Sequence, residues 1–195
     1  MRKESARLYR ILRYPLRFFV KLLYNPIVEG EEYIPKEGSA ILAGNHNFFY
    51  DPLLVGYATK RTVYFLAKKE LHQGIFKSWF FKSVGTIPVD RKNKDAFSME
   101  SAMNVLNSKE IIGIFPEGTR NKTENITILF KFGAVSLAKK TDTIIVPFAV
   151  TRKKKGIRRR PKIKFSQPMD VTNIELENAN QLLRERVEEM IKEDN

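Results

Sequence analysis

The chain has 195 residues, 43% of them apolar, with no cysteine and two histidines, and its 35 Lys and Arg against 22 Asp and Glu give a net charge of +13. Such a length and apolar content suit one folded domain rather than a disordered chain, and the missing cysteine excludes disulfides, a thiolate nucleophile and a cysteine-based zinc site. The positive excess attracts polyanions, whether nucleic acid, an anionic lipid surface or phosphorylated small molecules, without choosing among them.

Residues 1–25 come first in chain order. Leu8, Ile11, Leu12, Pro15, Phe18, Phe19 and Leu22 recur at helical spacing, and Arg7, Arg10, Arg13, Arg17 and Lys21 fall largely between them. A segment of this kind serves either as an amphipathic helix packed on its own core or as one lying in the headgroup layer of an anionic membrane. Pro15 is expected to kink or divide it. Arginine mixed with apolar residues throughout does not make a secretory signal. No apolar run approaches the roughly 18 residues of a spanning helix, so a cytoplasmic protein is expected.

"NPIVEGEEYIPKEG" then reads as a loop. Beyond it, strands are expected at residues 40–43, 63–67, 86–89, 111–115, 144–150 and 163–165. Helices are expected between and after them at 52–59, 75–84, 95–107, 132–140 and 174–192. This alternation predicts a single α/β domain over 26–195 with a largely parallel mixed sheet covered by helices. Functional groups in such folds gather at strand ends, where loops meet helix N-termini.

Two strand ends carry uncommon chemistry. The first is "NHNFFYD", residues 45–51. His46 is the natural acid–base group near neutral pH, and Asp51, five residues on, can accept the proton of one ring nitrogen and fix the tautomer. The same spacing also fits a plain turn in which Asp51 and Pro52 cap and open a helix. The second is "IIGIFPEGTR", residues 111–120, where a turn permitted by Gly118 is expected to expose Glu117, Thr119 and Arg120. Amides around a glycine turn with a guanidinium beside them suit a phosphate, and an ordinary surface turn has the same composition. "GTIPVDR", residues 85–91, presents Arg91, and "FLAKKEL", residues 65–71, places Lys68 and Lys69 past another strand. All of these cations are expected at the sheet edge that carries His46.

"NHNFFYD", "GTIPVDR", "FPEGTR" and "IVPF" occur in the order and approximate spacing of the four motifs of the glycerolipid acyltransferases. The chain from Asn45 to Phe148 most closely resembles the bacterial 1-acyl-glycerol-3-phosphate acyltransferases. The resemblance implies that His46 is the general base and Asp51 its orienting partner. It implies that Gly85 and Arg91 fill the second motif and that Glu117, Gly118, Thr119 and Arg120 form the third, with Lys68 also directed at the substrate phosphate. Pro147 stands in the fourth motif, tied to the acyl donor or to the shape of the site. One departure is Phe48, where the family often has serine two residues after the histidine.

The implied reaction moves an acyl group from acyl-CoA or acyl carrier protein to the hydroxyl of lysophosphatidic acid, giving phosphatidic acid. It needs no metal and no cofactor besides the thioester co-substrate. Because no G-x-S-x-G elbow is present, direct transfer without an acyl-enzyme is expected. A lipid acceptor makes residues 1–25 an interfacial anchor on the cytoplasmic face of the membrane. The basic run "RKKKGIRRRPKIK", residues 152–164, is then either a contact for anionic lipid or the acidic carrier protein, or a solvated loop. Two alternatives share the composition: an acyltransferase acting on glycerol 3-phosphate or another lysophospholipid, and a basic nucleic-acid-binding protein. The basic run lacks the interleaved aromatics that stack on bases, so no nucleic-acid partner is expected.

Overall fold

The computed structural model describes residues 7–83, 85–90, 96–152 and 160–194. Arg91 and most of the basic run after Arg152 lie outside the described residues. An amphipathic helix α1 (Arg7–Tyr24) leads into β1 (Ile27–Glu29), followed by β2 (Ala40–Gly44), α2 (Asp51–Ala58), β3 (Val63–Lys68) and α3 (Ile75–Ser83). Then come β4 (Thr86–Val89), α4 (Ala96–Asn107), β5 (Ile111–Ile114), α5 (Gly133–Thr141), β6 (Ile145–Arg152), β7 (Pro161–Phe165) and α6 (Leu176–Lys192).

The strands form one seven-stranded sheet in the order β1-β7-β6-β2-β5-β3-β4. Every pairing is parallel except β6 with β7. A parallel sheet must be covered on both faces, and its central strands then read as unbroken apolar runs. β2, "AILAG", is buried at every position. Its pleat sends Ile41 and Ala43 into a core built with Ala102, Leu137, Leu183 and neighbours on α4, α5 and α6. Ala40 and Leu42 face the other way, into a core that takes Val20 from α1 and Leu54 and Val55 from α2.

Two expectations are corrected. Residues 27–29 are a strand, not a loop: Ile27, Val28 and Glu29 pair with Lys162, Ile163 and Lys164 of β7. Three residues at a sheet edge give too short a pattern to reveal a strand by periodicity. Pro15 neither divides nor ends α1, which is continuous from Arg7 to Tyr24. Its position is exposed, so water can replace the one hydrogen bond that it removes.

The described members of the basic run are also engaged within the fold. Arg160 donates to the Asn25 carbonyl. Buried Lys162 is paired with Asp194 at 2.6 Å and with Glu29 at 2.7 Å, and Lys164 pairs with Glu193. These contacts tie β1 and β7 to the end of α6.

Candidate active site

β2 runs out at Gly44, where a Cβ would stand 2.1 Å from the Phe148 carbonyl oxygen of β6, so only glycine allows the two strands to close there. The next residue, Asn45, is fully buried and continues the ladder with its side chain. Its Nδ2 donates to the Val150 carbonyl at 2.9 Å, and its Oδ1 accepts the Val150 amide at 2.7 Å. His46 leaves the sheet directly after this anchor. Its carbonyl accepts the Asn121 amide at 2.7 Å, and its ring stacks on Phe115 with centroids 4.2 Å apart.

The geometry decides between the two roles open to Asp51. Asp51 is the first residue of α2, which begins with no side-chain cap. Its carboxylate, 0% exposed, turns back to the preceding loop. Oδ2 accepts from His46 Nδ1 at 2.9 Å and from the amides of Asn47 and Phe48, both at 2.8 Å. An ionised carboxylate only accepts, so Nδ1 carries the imidazole proton and Nε2 keeps its lone pair. The His46 side chain is 17% exposed and lines a cavity of about 1230 Å³.

Lys68, Gly118, Thr119 and Arg120 line the same cavity, as the motifs led one to expect. Lys122 and Lys131 join them and were not singled out in the sequence. Lys131 follows the motif by eleven residues, and its backbone amide bonds to the Pro116 carbonyl at 2.9 Å. That contact brings its side chain back over Gly118. Lys69 is not equivalent to Lys68, since it pairs with Asp90 at 2.6 Å. The rest of the lining is largely apolar and includes Leu16 and Phe19 of α1, Leu53 of α2, and Phe65 and Leu66 of β3. Arg13 and Arg17, from the cationic face of α1, also line the cavity and donate to the carbonyls of Lys60 and of Tyr57 and Thr59 at the end of α2. Cations there complement the negative end of the helix.

Glu117 is a correction. The turn exposes Thr119 and Arg120, but Glu117 points inward, 2% exposed, and its Oε2 accepts the His46 amide at 3.2 Å. It holds the two motif loops together from behind and is absent from the cavity wall. Burial pushes its carboxyl up from 4.5 to about 7; the amides of His46 and Ile128 pull it down, and the Asp51 charge adds to the rise. Between those two values the folded protein keeps a proton that the unfolded chain has released. Stability therefore falls as pH rises from 4.5 to about 7, and the penalty is complete above that. Glu117→Gln keeps an acceptor for His46 and removes the charge. We expect it to gain about 1–3 kcal/mol over wild type in urea unfolding at pH 8 and little at pH 5.

Gly85 and Pro147 also lie off the cavity wall. Gly85, at φ 81°, turns the chain into β4 beside Tyr64. Pro147 sits in β6 opposite Ala43, in the strand next to the loop that carries His46. Asn45 was missed because its partner, Val150, is remote in sequence.

A family model described as acyltransferase matches residues 25–151. The 1-acyl-sn-glycerol-3-phosphate acyltransferase of Bacillus subtilis is 29% identical over 73% of this chain and 70% of its own length. The protein of the same name from Borreliella burgdorferi is 39% identical over 62% of this chain, a region that spans only 49% of that longer protein. Among solved structures, the 1-acyl-sn-glycerophosphate (LPA) acyltransferase PlsC from Thermotoga maritima superposes with a TM-score of 0.77 at 22% identity, covering 99% of this chain and 83% of that one. That likeness supports the fold.

Proposed function

This chain belongs to the acyltransferase family, and on that premise we propose that it transfers a fatty acyl group from a thioester to the free hydroxyl of 1-acyl-glycerol 3-phosphate, giving phosphatidic acid. The observation that carries the reading is the His46–Asp51 pair at 2.9 Å, set in a cavity whose wall combines several cations with a largely apolar lining. His46 Nε2 takes the hydroxyl proton as the oxygen attacks the thioester carbonyl, and Asp51 stabilises the imidazolium that forms. Collapse of the tetrahedral intermediate breaks the carbon–sulfur bond, and the imidazolium returns its proton to the departing thiolate. The chemistry runs on the thioester co-substrate, supplied as acyl-CoA or acyl carrier protein.

Arg120 and Lys68 hold the acceptor phosphate, with Lys131 beside Gly118 adding a third cation. The apolar wall favours an acceptor that already bears one acyl chain over glycerol 3-phosphate, which would leave that wall wet. Turnover of lysophosphatidic acid and glycerol 3-phosphate at matched acyl donor tests this. Preference for the lysolipid is expected, and equal or better turnover of glycerol 3-phosphate would replace it with that smaller acceptor.

The acceptor is a lipid, so the protein works at a membrane surface. No helix among the described residues is long and apolar enough to cross one. Two helices instead expose apolar side chains beside the cavity: Ile11, Phe18 and Leu22 on α1, and Ile75 (94% exposed), Phe76 and Trp79 on α3. Exposed large apolar side chains on two helices that share one cavity suit an interaction face, here one that enters the headgroup layer. Replacing Ile75, Phe76 and Trp79 together by serine is expected to weaken binding to anionic vesicles about tenfold or more in a sedimentation assay. Unchanged binding would take α3 out of the membrane contact.

A further inference from the structure

The loop that carries the base is gripped from outside by the end of β6. Val150 holds Asn45 at the start of the loop through its amide and carbonyl. Two residues later on the same strand, the Arg152 guanidinium carbon lies 4.1 Å from the centroid of the Phe48 ring. Arg152 Nε also donates to the Tyr50 hydroxyl at 2.6 Å. Phe48 and Tyr50 stack nearly parallel, with centroids 5.2 Å apart and planes 6° apart. Tyr50 in turn packs on Tyr24 at the end of α1, at 4.7 Å. The Arg152 guanidinium of β6, two rings of the loop and the Tyr24 ring of α1 thus form a continuous pile.

The connection to the chemistry is short. The Phe48 amide donates to the Asp51 oxygen that also accepts from His46 Nδ1. If Phe48 drifts, that amide leaves and the carboxylate gains freedom to turn. The family that the motifs resemble often has a small hydroxyl residue at this position, whereas this chain has a ring. A planar cation over an aromatic face, combined with a hydrogen bond to the neighbouring phenol, is the means by which such a ring is fixed. Arg152 itself does not line the cavity.

We propose that Arg152 is a positioning residue for acyl transfer: by clamping Phe48 and Tyr50 it keeps Asp51, and through it His46, in the reactive orientation. The proposal rests on the acyltransferase reading of the site. Its rival is the role that an exposed arginine at the head of a basic run would ordinarily be given, a contact with lipid headgroups. The two differ in what they do to the kinetics. A loosened base lowers kcat, whereas a lost headgroup contact raises KM and weakens vesicle binding.

The test uses the full chain, lysophosphatidic acid in vesicles and acyl-CoA. Arg152→Ala is expected to lower kcat about tenfold with KM for the lysolipid changed less than about twofold. Because Arg152 is exposed, the fold should survive, and circular dichroism checks it. Arg152→Lys retains a cation and a donor but not the planar fork, and is expected to recover part of the lost kcat. Adding Phe48→Ala to Arg152→Ala is expected to cost much less than Phe48→Ala costs alone, because both changes break the same clamp. Unchanged kcat in Arg152→Ala, a rise in KM at constant kcat, no recovery with lysine, or fully additive effects would each overturn the proposal. Wild-type turnover in the same assay keeps the two claims apart: an inactive wild type removes the acyltransferase reading, and an active wild type with an unimpaired variant removes only the clamp.

Discussion

His46→Ala is expected to lower kcat by about three orders of magnitude while the protein stays folded. The chain has only two histidines, and the other, His72, bonds to Thr86 beyond the end of β3 and does not line the cavity. Among the described residues, His46 is therefore the imidazole that lines the cavity and can take the hydroxyl proton. The variant loses one hydrogen bond to Asp51 and the stack on Phe115. It keeps both backbone bonds of residue 46, to Glu117 and from Asn121, and Asp51 keeps its two amide donors. The stability cost is then about 1 kcal/mol. Thiol release from acyl-CoA measures the rate and circular dichroism the fold. Activity within about tenfold of wild type would remove His46 from the role of base.

Asp51→Asn is expected to cost about a hundredfold to a thousandfold in kcat. Its amide oxygen can occupy the place of Oδ2 and still accept all three bonds, since the opposite orientation would aim an NH2 at two amide donors. The tautomer of His46 is therefore preserved, and what disappears is the negative charge that stabilises the imidazolium. The NH2 would take the place of Oδ1, a buried atom with no hydrogen-bond partner among the described residues, so some stability is lost as well. Asp51→Ala removes orientation and charge together and leaves the Asn47 and Phe48 amides without an acceptor, at about 1–3 kcal/mol each. Steady-state rates for the two variants separate charge from orientation. An asparagine variant close to wild type with a dead alanine variant would show that orientation alone matters.

Much of the sheet was legible because β2, β5 and β6 are short apolar runs bounded by turn residues, a pattern that a parallel strand covered on both faces has to show. β1 was not, because three residues, two half-buried and one exposed, carry no period and their partner β7 is more than a hundred residues away. The same division holds for the site. His46, Asp51, Thr119 and Arg120 lie in compact local motifs, which spacing alone makes visible; the structure pairs His46 with Asp51 and sets His46, Thr119 and Arg120 on one cavity. Glu117 shares a motif with Arg120 but faces the opposite way, which depends on how the turn after β5 meets the loop after β2. Lys131, Asn45 and Arg152 make their contacts across the sheet or across a long loop; although Asn45 opens the first motif and Arg152 heads the basic run, no local pattern shows what they touch. The cationic stripe of α1 shows the limit of pattern most plainly. Periodicity found the arginines, but only the packing of α1 on α2 shows that Arg13 and Arg17 reach helix-end carbonyls.

Direct attack by a lipid hydroxyl on the thioester, driven by His46, is tested most directly by following thiol release from acyl-CoA under single-turnover conditions with and without lysophosphatidic acid. Release that appears only when the lysolipid is present, in step with phosphatidic acid formation, is the expected outcome. A burst of thiol in its absence, leaving an acylated protein, or no phosphatidic acid from the complete mixture, would contradict it.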